Sequence, residues 1–436
     1  MEKRITVSAA GDILIMKPLP VGYGDLDAIR DFLGQADIRM ANIETTITDG
    51  NCYGSAYSGG TWLTADESCL EQIRRYGFNM LGWANNHTMD YSYEGLYQTQ
   101  QFLDRYGFAR AGAGSNLYEA SRPAILDTAG GRVAIFDICS TFEDAARAGE
   151  QTPRQPGRPG LNPLRFRCVY RVTSQHAEML KEIAAATSIN ALRESHRKQG
   201  FVSPLPPRMT EFAGALFEEV DTPEQEGRFS TADPRDLKRM TDAIREALYT
   251  CDAAIVMVHS HEVRKDSDME PDYFLEEFAH ACIDAGACAV VGGGTHQLKG
   301  IEIYRDAPIF YCLGNFIFEN EYVRLLPADY MEKYGLPSDT PAAVGIAKRS
   351  AGAAQSLYTV KEVYRSALPF FTIENGKLAH LELLPVELGM EKPQYEKNIP
   401  YLADEKTARE ITDYLNRAST RYHTCWKYEN GRIVLR

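Results

Sequence analysis

Short apolar runs alternate with longer amphipathic segments along most of this chain. The apolar runs include Ile5–Ala10, Ile38–Ile43 and Ala253–Val258, and segments with helical spacing, such as Leu26–Leu33 and Asp236–Tyr249, lie between them. This alternation is typical of strands and helices packed in layers, so the sequence predicts an α/β fold. A chain of 436 residues with 44% hydrophobic content is able to bury the core that such layers need.

The same pattern predicts further elements. We expect helices around Asp66–Tyr76 and Tyr93–Tyr106, a helix that opens at Pro271, and strands at Phe78–Trp83, Ala124–Leu126, Val133–Ile138, Ala287–Val291, Ile301–Tyr304 and Ile309–Leu313. The region Tyr358–Leu384 is expected to add edge strands. We predict one domain over residues 1–325, followed by a C-terminal extension, residues 326–436, that completes or flanks it.

The pattern breaks between about residues 150 and 233, which we interpret as an inserted cap segment. It begins with the stretch RQPGRPGLNPLRFRCVYR, which has five arginines and no acidic residue, and continues with a helical segment at Ser174–Arg197 and a proline-rich loop. Arg158, Arg165 and Arg167 are candidate ligands for carboxylates or phosphates, because a guanidinium group binds such anions through paired hydrogen bonds. The alternative is a solvated connector.

Polar residues follow the apolar runs at five places. They are Asp12, Glu44, Asn86 with His87, His259 and His296. Ligands bind beside the carboxyl ends of strands in α/β sheets, and carboxylate, amide and imidazole groups bind Zn, Mn and Fe ions. The pattern therefore predicts a site for one or two divalent ions. His87 has the chemistry to protonate a leaving oxygen, and Asp90 is placed to hold its imidazole by a hydrogen bond.

Several motifs resemble those of the CapA, or poly-γ-glutamate capsule biosynthesis, proteins. They are AAGDIL, ANIE, ANNHTMDYSYEGL, RPGLNPLR, VMVHSHE, DAGACAVVGGGTHQLKGIEIY and IFYCLGNFIF, in this order over roughly residues 4–320. The resemblance implies a metallophosphatase-like four-layer α-β-β-α sandwich, similar to the calcineurin-like phosphoesterases. It also implies roles for individual residues: Asp12 as a first-metal carboxylate, Glu44 as the bridging carboxylate, Asn86 and His259 as second-metal ligands, and His87 as the proton donor. Asn315, in the LGNF motif, is a candidate substrate-binding residue.

Two positions depart from the pattern that the resemblance implies. His296 matches the last His of a G-x-H-x-H block, but Gly294 stands where the earlier His is expected. Leu14 stands where metallophosphatases carry the His of a D-x-H pair. His261 is then either a substitute ligand or a solvent-facing residue. For this reason the number of ions, one or two, and their identity stay open.

The resemblance implies a part in poly-γ-glutamate or related capsule metabolism. The residues favour a metal-dependent hydrolase, of the phosphoesterase kind, that acts on an anionic small molecule or a polyglutamate-type polymer. Two alternatives remain: a non-catalytic protein that binds an acidic polymer or a partner through a degenerate site, and a γ-glutamyl amide hydrolase. The formal net charge of −13 disfavours nucleic acid as the main partner.

The composition also predicts a compartment. The chain shows no signal-peptide pattern and no apolar stretch of the length that a membrane helix needs. Its nine cysteines form no C-x-x-C pair, which is typical of free thiols in a reducing environment. We therefore expect a cytoplasmic protein. The sequence does not indicate an oligomeric state.

Overall fold

The chain forms a mixed α/β fold with several sheets. The computed structural model describes residues 4–22, 24–264, 267–352 and 354–436. No helix in this described part combines the length and the apolar character that crossing a bilayer requires. All nine cysteines are free. The cytoplasmic location stays a prediction.

The N-terminal region matches the predicted alternation closely. Its strands are β1 (Arg4–Leu14), β2 (Ile38–Ile43), β3 (Thr46–Ile47), β4 (Thr64–Ala65), β5 (Met80–Gly82), β6 (Ala109–Ala111), β7 (Ala113–Gly114), β8 (Ala124–Thr128) and β9 (Gly131–Cys139). Its helices are α1 (Leu26–Leu33), α2 (Ser68–Arg75), α3 (Ser92–Arg105) and α4 (Leu117–Ala120). Strand β1 continues past its predicted end, so Asp12 lies within a strand and not after it.

The inserted segment contains a four-stranded sheet that the sequence analysis missed. Its elements are β10 (Gly160–Leu161), β11 (Phe166–Thr173), α5 (Ser174–Thr187), α6 (Ala191–Lys198), β12 (Met209–Phe212), β13 (Ala215–Val220) and β14 (Gly227–Ala232), and the sheet order is β12-β13-β11-β14. The strands were missed because they are mostly half-buried, so polar residues interrupt the apolar alternation. The single helix predicted at Ser174–Arg197 is wrong: Ser188, with a left-handed φ of 54°, ends α5.

The third region returns to strand–helix order. Its elements are α7 (Pro234–Ala247), β15 (Ala253–Ser260), β16 (Val263–Arg264), β17 (Ser267–Pro271), α8 (Tyr273–Asp284), β18 (Ala289–Gly294), β19 (Ile301–Tyr304), β20 (Ala307–Phe310) and β21 (Asn315–Phe318). Strand β15 includes His259, which was expected to follow it. Pro271 does not open α8, because Asp272 caps the helix by accepting a hydrogen bond from the backbone N–H of Tyr273.

The C-terminal region completes the largest sheet. It contains α9 (Ala328–Lys333), α10 (Ala342–Arg349), β22 (Arg365–Glu374), β23 (Lys377–Glu387), β24 (Tyr401–Leu402), α11 (Glu405–Ser419), β25 (Trp426–Glu429) and β26 (Arg432–Leu435). The expectation of edge strands is wrong, because β22 pairs with β1 on one side and β23 on the other. Most residues of β22 are buried on both faces, as in an interior strand.

Two large sheets carry the fold. The ten-stranded sheet has the order β25-β26-β23-β22-β1-β2-β5-β6, with β21 paired to β1 and β24 to β23. The six-stranded sheet has the order β19-β20-β18-β15-β9-β8. Strands β1, β2, β5 and β6 are mutually parallel, as are β9, β15, β18 and β20. Within each group, the segments that follow the parallel strands therefore emerge at one edge of the sheet.

Three apolar cores fix these sheets. One core contains Val7 and Met40 of the ten-stranded sheet together with Ile255 and Val291 of the six-stranded sheet, so the two sheets share it. A second core packs α1, α2 and α3 on the ten-stranded sheet. A third packs α7 and α8 on the six-stranded sheet. The strand ends that carry the predicted site are thus held by cores on both faces of their sheets.

Candidate metal centre

The carboxylate of Glu44 lies at the centre of the strand-end residues. Glu44 directly follows β2, its backbone N–H donates to the carbonyl of Ile13, and its side chain is fully buried. Neither carboxylate oxygen accepts a hydrogen bond from any described residue. Four imidazole nitrogens surround its Oε1: His259 Nε2 at 3.5 Å, His87 Nε2 at 3.9 Å, His261 Nε2 at 3.9 Å and His296 Nε2 at 4.0 Å.

Asp12 lies beside Glu44 and is held by three groups. Its Oδ1 accepts a hydrogen bond from Asn42 Nδ2 at 2.8 Å, and its Oδ2 accepts one from the backbone N–H of Gly294 at 2.9 Å. The Nδ1 atom of His259 is 3.7 Å from Oδ1. These contacts fix the carboxylate inside β1, where the side chain is fully buried.

His259, His261 and Asn86 bring three ligand-type atoms together. His259 Nε2 lies 2.8 Å from Asn86 Oδ1 and 3.0 Å from His261 Nε2. Both distances are those of hydrogen bonds, so these contacts gather the three side chains around His259 Nε2, which lies 3.5 Å from Glu44 Oε1.

The described residues offer two groups of ligand atoms, each group spanning no more than 4.8 Å. One group is Asp12, Glu44 and His259, and the other is Glu44, His261 and His296. Asp12 and His259, which the family resemblance assigned to different ions, thus fall in the same group. Glu44 belongs to both, which is the arrangement of a bridging ligand. A buried ionised carboxylate without hydrogen bonds costs about 1–3 kcal/mol or more, so it is stable only when a cation binds beside it or when it takes up a proton. Carboxylate and imidazole ligands suit Zn, Mn or Fe, and this donor set fits one or two divalent ions.

The pKa shifts in the site follow from burial and mutual charge. Burial acts to raise the pKa of Asp12, but the hydrogen bond and charge of His259 and the charge of His296 outweigh it and lower that pKa. Burial and the charge of Asp12 raise the pKa of Glu44 well above its usual value. Burial lowers the pKa of His296 to about 4 and that of His261 well below its usual value. These shifts favour the neutral imidazole at His296 and His261, the form that binds metal.

His87 is held by Asp90 at the rim of this cluster. The structure contains the expected hydrogen bond, with His87 Nδ1 2.7 Å from Asp90 Oδ2. Asp90 is fully buried and also accepts from the backbone N–H groups of Gly59, at 3.0 Å, and Leu63, at 2.7 Å. The Asp90 carboxylate therefore has a fixed orientation, and it holds the His87 ring with the Nε2 atom facing Glu44.

His296 is oriented by Asn315. The Oδ1 atom of Asn315 lies 2.9 Å from His296 Nδ1, and its Nδ2 donates to the backbone carbonyls of His296 and Val363. Asn315 is fully buried at the start of β21. In this position it directs the Nε2 atom of His296 toward Glu44, and its predicted substrate-binding role stays a prediction.

Comparisons with known proteins identify the family of the chain. A family model described as "Bacterial capsule synthesis protein PGA_cap" matches residues 6–320. The chain belongs to this bacterial capsule synthesis family. The match confirms the family resemblance expected from the motifs, and all the strand-end residues of the site fall inside the matched range.

Individual relatives cover different shares of the chain. The protein y4sH of Sinorhizobium fredii is 32% identical over 430 residues, which cover 96% of this chain and 90% of y4sH. The capsule biosynthesis protein CapA of Bacillus anthracis is 24% identical over 330 residues, 74% of this chain and 62% of CapA. A probable polyglutamine synthesis accessory protein of Mycobacterium tuberculosis is 24% identical over 316 residues, 70% of this chain and 62% of that protein.

The predicted arginines Arg158, Arg165 and Arg167 form no hydrogen bond or ion pair with a proposed metal ligand in the described part of the chain. Arg165 forms a bidentate pair with the buried Asp236, with both N–O distances 2.7 Å. Arg158 is exposed and donates from Nε to the carbonyl of Arg147 at 3.1 Å. Arg158 and Arg165 line a groove of about 1190 Å³, whereas Arg167 is exposed on β11 and is not one of the residues that line this groove.

Sequence reasoning missed two asparagines that organise the site. Asn42 Nδ2 contacts Asp12 Oδ1 at 2.8 Å and His259 Nδ1 at 3.1 Å. Asn85 donates to Asn42 Oδ1 at 3.0 Å and accepts from the backbone N–H of His87 at 3.0 Å. The spacing of Asn42 and Glu44 was a usable signal, since residues i and i+2 of an extended segment face the same side.

Gly294 leaves no room for the His that the family resemblance implies at this position. Its φ is +119°, and a Cβ atom there would lie 2.5 Å from the carbonyl oxygen of Ser260 and 2.8 Å from its nitrogen. His261, which follows the neighbouring strand β15, reaches Glu44 instead. His261 therefore offers an imidazole near Glu44, where the family resemblance expected a His at position 294.

We expect Gly294→Ala to destabilise the protein and weaken divalent-ion binding, because the new methyl group pushes β18 away from Ser260. The control is Gly335→Ala, which has a φ of +65° and open space around its Cβ position. Urea unfolding should give a cost of about 1 kcal/mol for the control, from backbone strain alone, and clearly more for Gly294→Ala. Equal costs would contradict the close contact.

Proposed function

We propose that the chain is a metal-dependent hydrolase, of the phosphoesterase kind, that acts on an anionic substrate in poly-γ-glutamate or related capsule metabolism. One observation carries the proposal. The buried carboxylate of Glu44 accepts no hydrogen bond from the described residues and faces four imidazole nitrogens within 4.0 Å. A site used only for packing has no reason to leave a carboxylate in this state.

The proposed metal ligands fall on both sides of Glu44. Asp12, Glu44 and His259 would hold one ion, with Asn86 Oδ1 beside His259 as a further oxygen ligand. Glu44, His261 and His296 would hold a second. A bound divalent ion supplies Lewis acidity, which polarises a phosphoryl or carbonyl oxygen and acidifies water.

The protein groups around these ligands position them and move a proton. Asn42 fixes Asp12 and His259 relative to each other. His87 carries a proton at Nε2 toward a leaving oxygen, while Asp90 holds its Nδ1 and stabilises the imidazolium form. Since Asp90 is itself fixed by two backbone N–H groups, the imidazole keeps one orientation.

The fold supports the same proposal. We propose that the two sheets with their shared core, and the helices that cover the outer faces, form the metallophosphatase-like four-layer α-β-β-α sandwich. The core clusters support this arrangement, since α1 to α3 pack on one sheet and α7 and α8 on the other. Amide hydrolysis of γ-glutamyl peptides uses the same groups and is an alternative reaction of the same site.

We expect Glu44→Gln to lose most bound metal and all hydrolytic activity, because the change removes the bridging charge. His87→Ala should keep its metal and lose about 10²- to 10⁴-fold in kcat, the usual contribution of a proton donor. Metal content is measured by mass spectrometry after reloading with Mn, Zn or Fe, and turnover with aryl phosphates and γ-glutamyl anilides. In chelator, Glu44→Gln should unfold at a higher urea concentration than the wild type, because it no longer buries an unpaired acid.

The control for these variants is His176→Ala, because His176 lies in the inserted segment and contacts Glu226. It should match the wild type in metal content and turnover. Wild-type metal content in Glu44→Gln, or unchanged turnover in His87→Ala, would contradict the proposal. Hydrolysis of only one of the two substrate classes decides between phosphoester and amide cleavage.

A second candidate function is binding of an acidic polymer, and the groove near the insertion favours it. The groove is lined by seven cationic side chains, Arg122, Arg147, Arg158, Arg165, Arg235, Lys238 and Arg239, and by three acidic ones, Glu150, Asp242 and Glu246. Most of the cations are paired with carboxylates. Arg122 and Arg158 are exposed and form no ion pair with a described residue, so we propose them as the anion ligands of this surface.

We expect Arg122→Ala and Arg158→Ala each to weaken poly-γ-glutamate binding by about tenfold or more, since each removes a charge-assisted hydrogen bond. Binding should weaken with NaCl and persist in chelator. Fluorescence anisotropy of a labelled polymer measures both. Lys427→Ala, which removes a partly exposed cation outside the groove, serves as the control. Equal affinity of all three variants and the wild type would exclude the groove as the binding surface.

A further inference from the structure

We propose that Glu262 is a positioning residue that holds His261 at the metal centre. The inference rests on the proposed function, because it concerns how one of the proposed ligands is kept in place. Glu262 is half-buried and follows the end of β15 by two residues. Its carboxylate forms no hydrogen bond with the side chain of a proposed metal ligand in the described structure. Its contacts are with hydroxyl groups that surround the backbone of His261.

Three hydroxyl groups converge on the Glu262 carboxylate. The hydroxyl of Ser140 donates to it at 2.6 Å, that of Ser260 at 2.8 Å, and that of Thr141 lies 3.0 Å from both oxygens. Ser140 and Thr141 follow β9, and Ser260 ends β15. Glu262 therefore ties together the ends of two parallel strands at the point where they leave the sheet.

Thr141 transmits this contact to His261. Its Oγ1 accepts a hydrogen bond from the backbone N–H of His261 at 2.8 Å. A hydroxyl group has one proton, and an ionised carboxylate accepts hydrogen bonds only. With its proton donated to Glu262, the Thr141 oxygen is left with its lone pairs facing His261. Glu262 thereby orients the Thr141 hydroxyl so that its oxygen accepts the hydrogen bond from the backbone N–H of His261.

The location of His261 explains why it needs such an anchor. The regular pairing between β9 and β15 ends at Cys139 and His259, so His261 lies beyond the ladder. Its side chain is 28% exposed, whereas that of His259, inside the strand, is 2% exposed. Packing holds His259 in the site, whereas the more exposed His261 depends on polar contacts for its position. Groups that orient metal ligands commonly contribute about 10- to 100-fold in metal affinity.

Metal titration of the purified protein by calorimetry tests the inference. We expect Glu262→Ala to weaken binding of one ion by about 10- to 100-fold and His261→Ala to weaken the same ion. The double variant should bind no more weakly than His261→Ala, because Glu262 acts through His261. Glu262→Gln should give an intermediate loss, since its amide keeps one acceptor oxygen but turns an N–H group toward a hydroxyl donor.

The control is Glu302→Ala, which also removes a half-buried carboxylate with a hydroxyl partner, in this case Tyr311. It should leave metal affinity unchanged. Wild-type affinity in Glu262→Ala, or losses that add up in the double variant, would overturn the positioning role while leaving the proposed function intact. A wild-type protein that binds no divalent ion would overturn both.

Discussion

The arrangement of the strand ends depends on one constraint, the burial of the Glu44 carboxylate without a hydrogen-bond partner. An ionised carboxylate in a protein interior is stable only beside a cation or several donors. The surrounding imidazoles lie 3.5–4.0 Å away, too far to hydrogen bond to it. Asparagines, a buried aspartate and backbone N–H groups hold these rings in place. The proposed divalent ion would supply a positive charge that the described protein atoms do not bring to this carboxylate.

Much of the fold was predictable because its strands are strongly apolar and its helices strongly amphipathic. Helix α1 and strand β2 have their predicted bounds for this reason. The sheet of the inserted segment escaped prediction because its strands are half-buried, and periodicity is weak where neither face is fully covered. The interior location of β22 depends on pairing with β1, more than 350 residues earlier in the chain, and no local pattern encodes such a partner.

The candidate site, like the fold, was predictable from the sequence only in part. Asp12 and His296 were identifiable as candidate ligands because their carboxylate and imidazole groups stand next to strongly apolar runs of the sequence. Residues that only orient the ligands, such as Asn42 and Glu262, were missed, since an amide or acid near a turn is common. The sequence showed that Gly294 replaces the expected His, but it did not show that the backbone around this position excludes a side chain. Only the close approach of Ser260 shows that a side chain at that position has no space.

An anomalous difference map from crystals soaked in Mn or Zn tests most directly whether a metal ion binds at Glu44. We expect a peak within coordination distance of Glu44, between its carboxylate and either Asp12 with His259 or His261 with His296. Peaks at both places, about 3.5–4 Å apart, would establish a bridged pair. A map with no peak beside Glu44, from protein exposed to excess metal, would contradict the central claim.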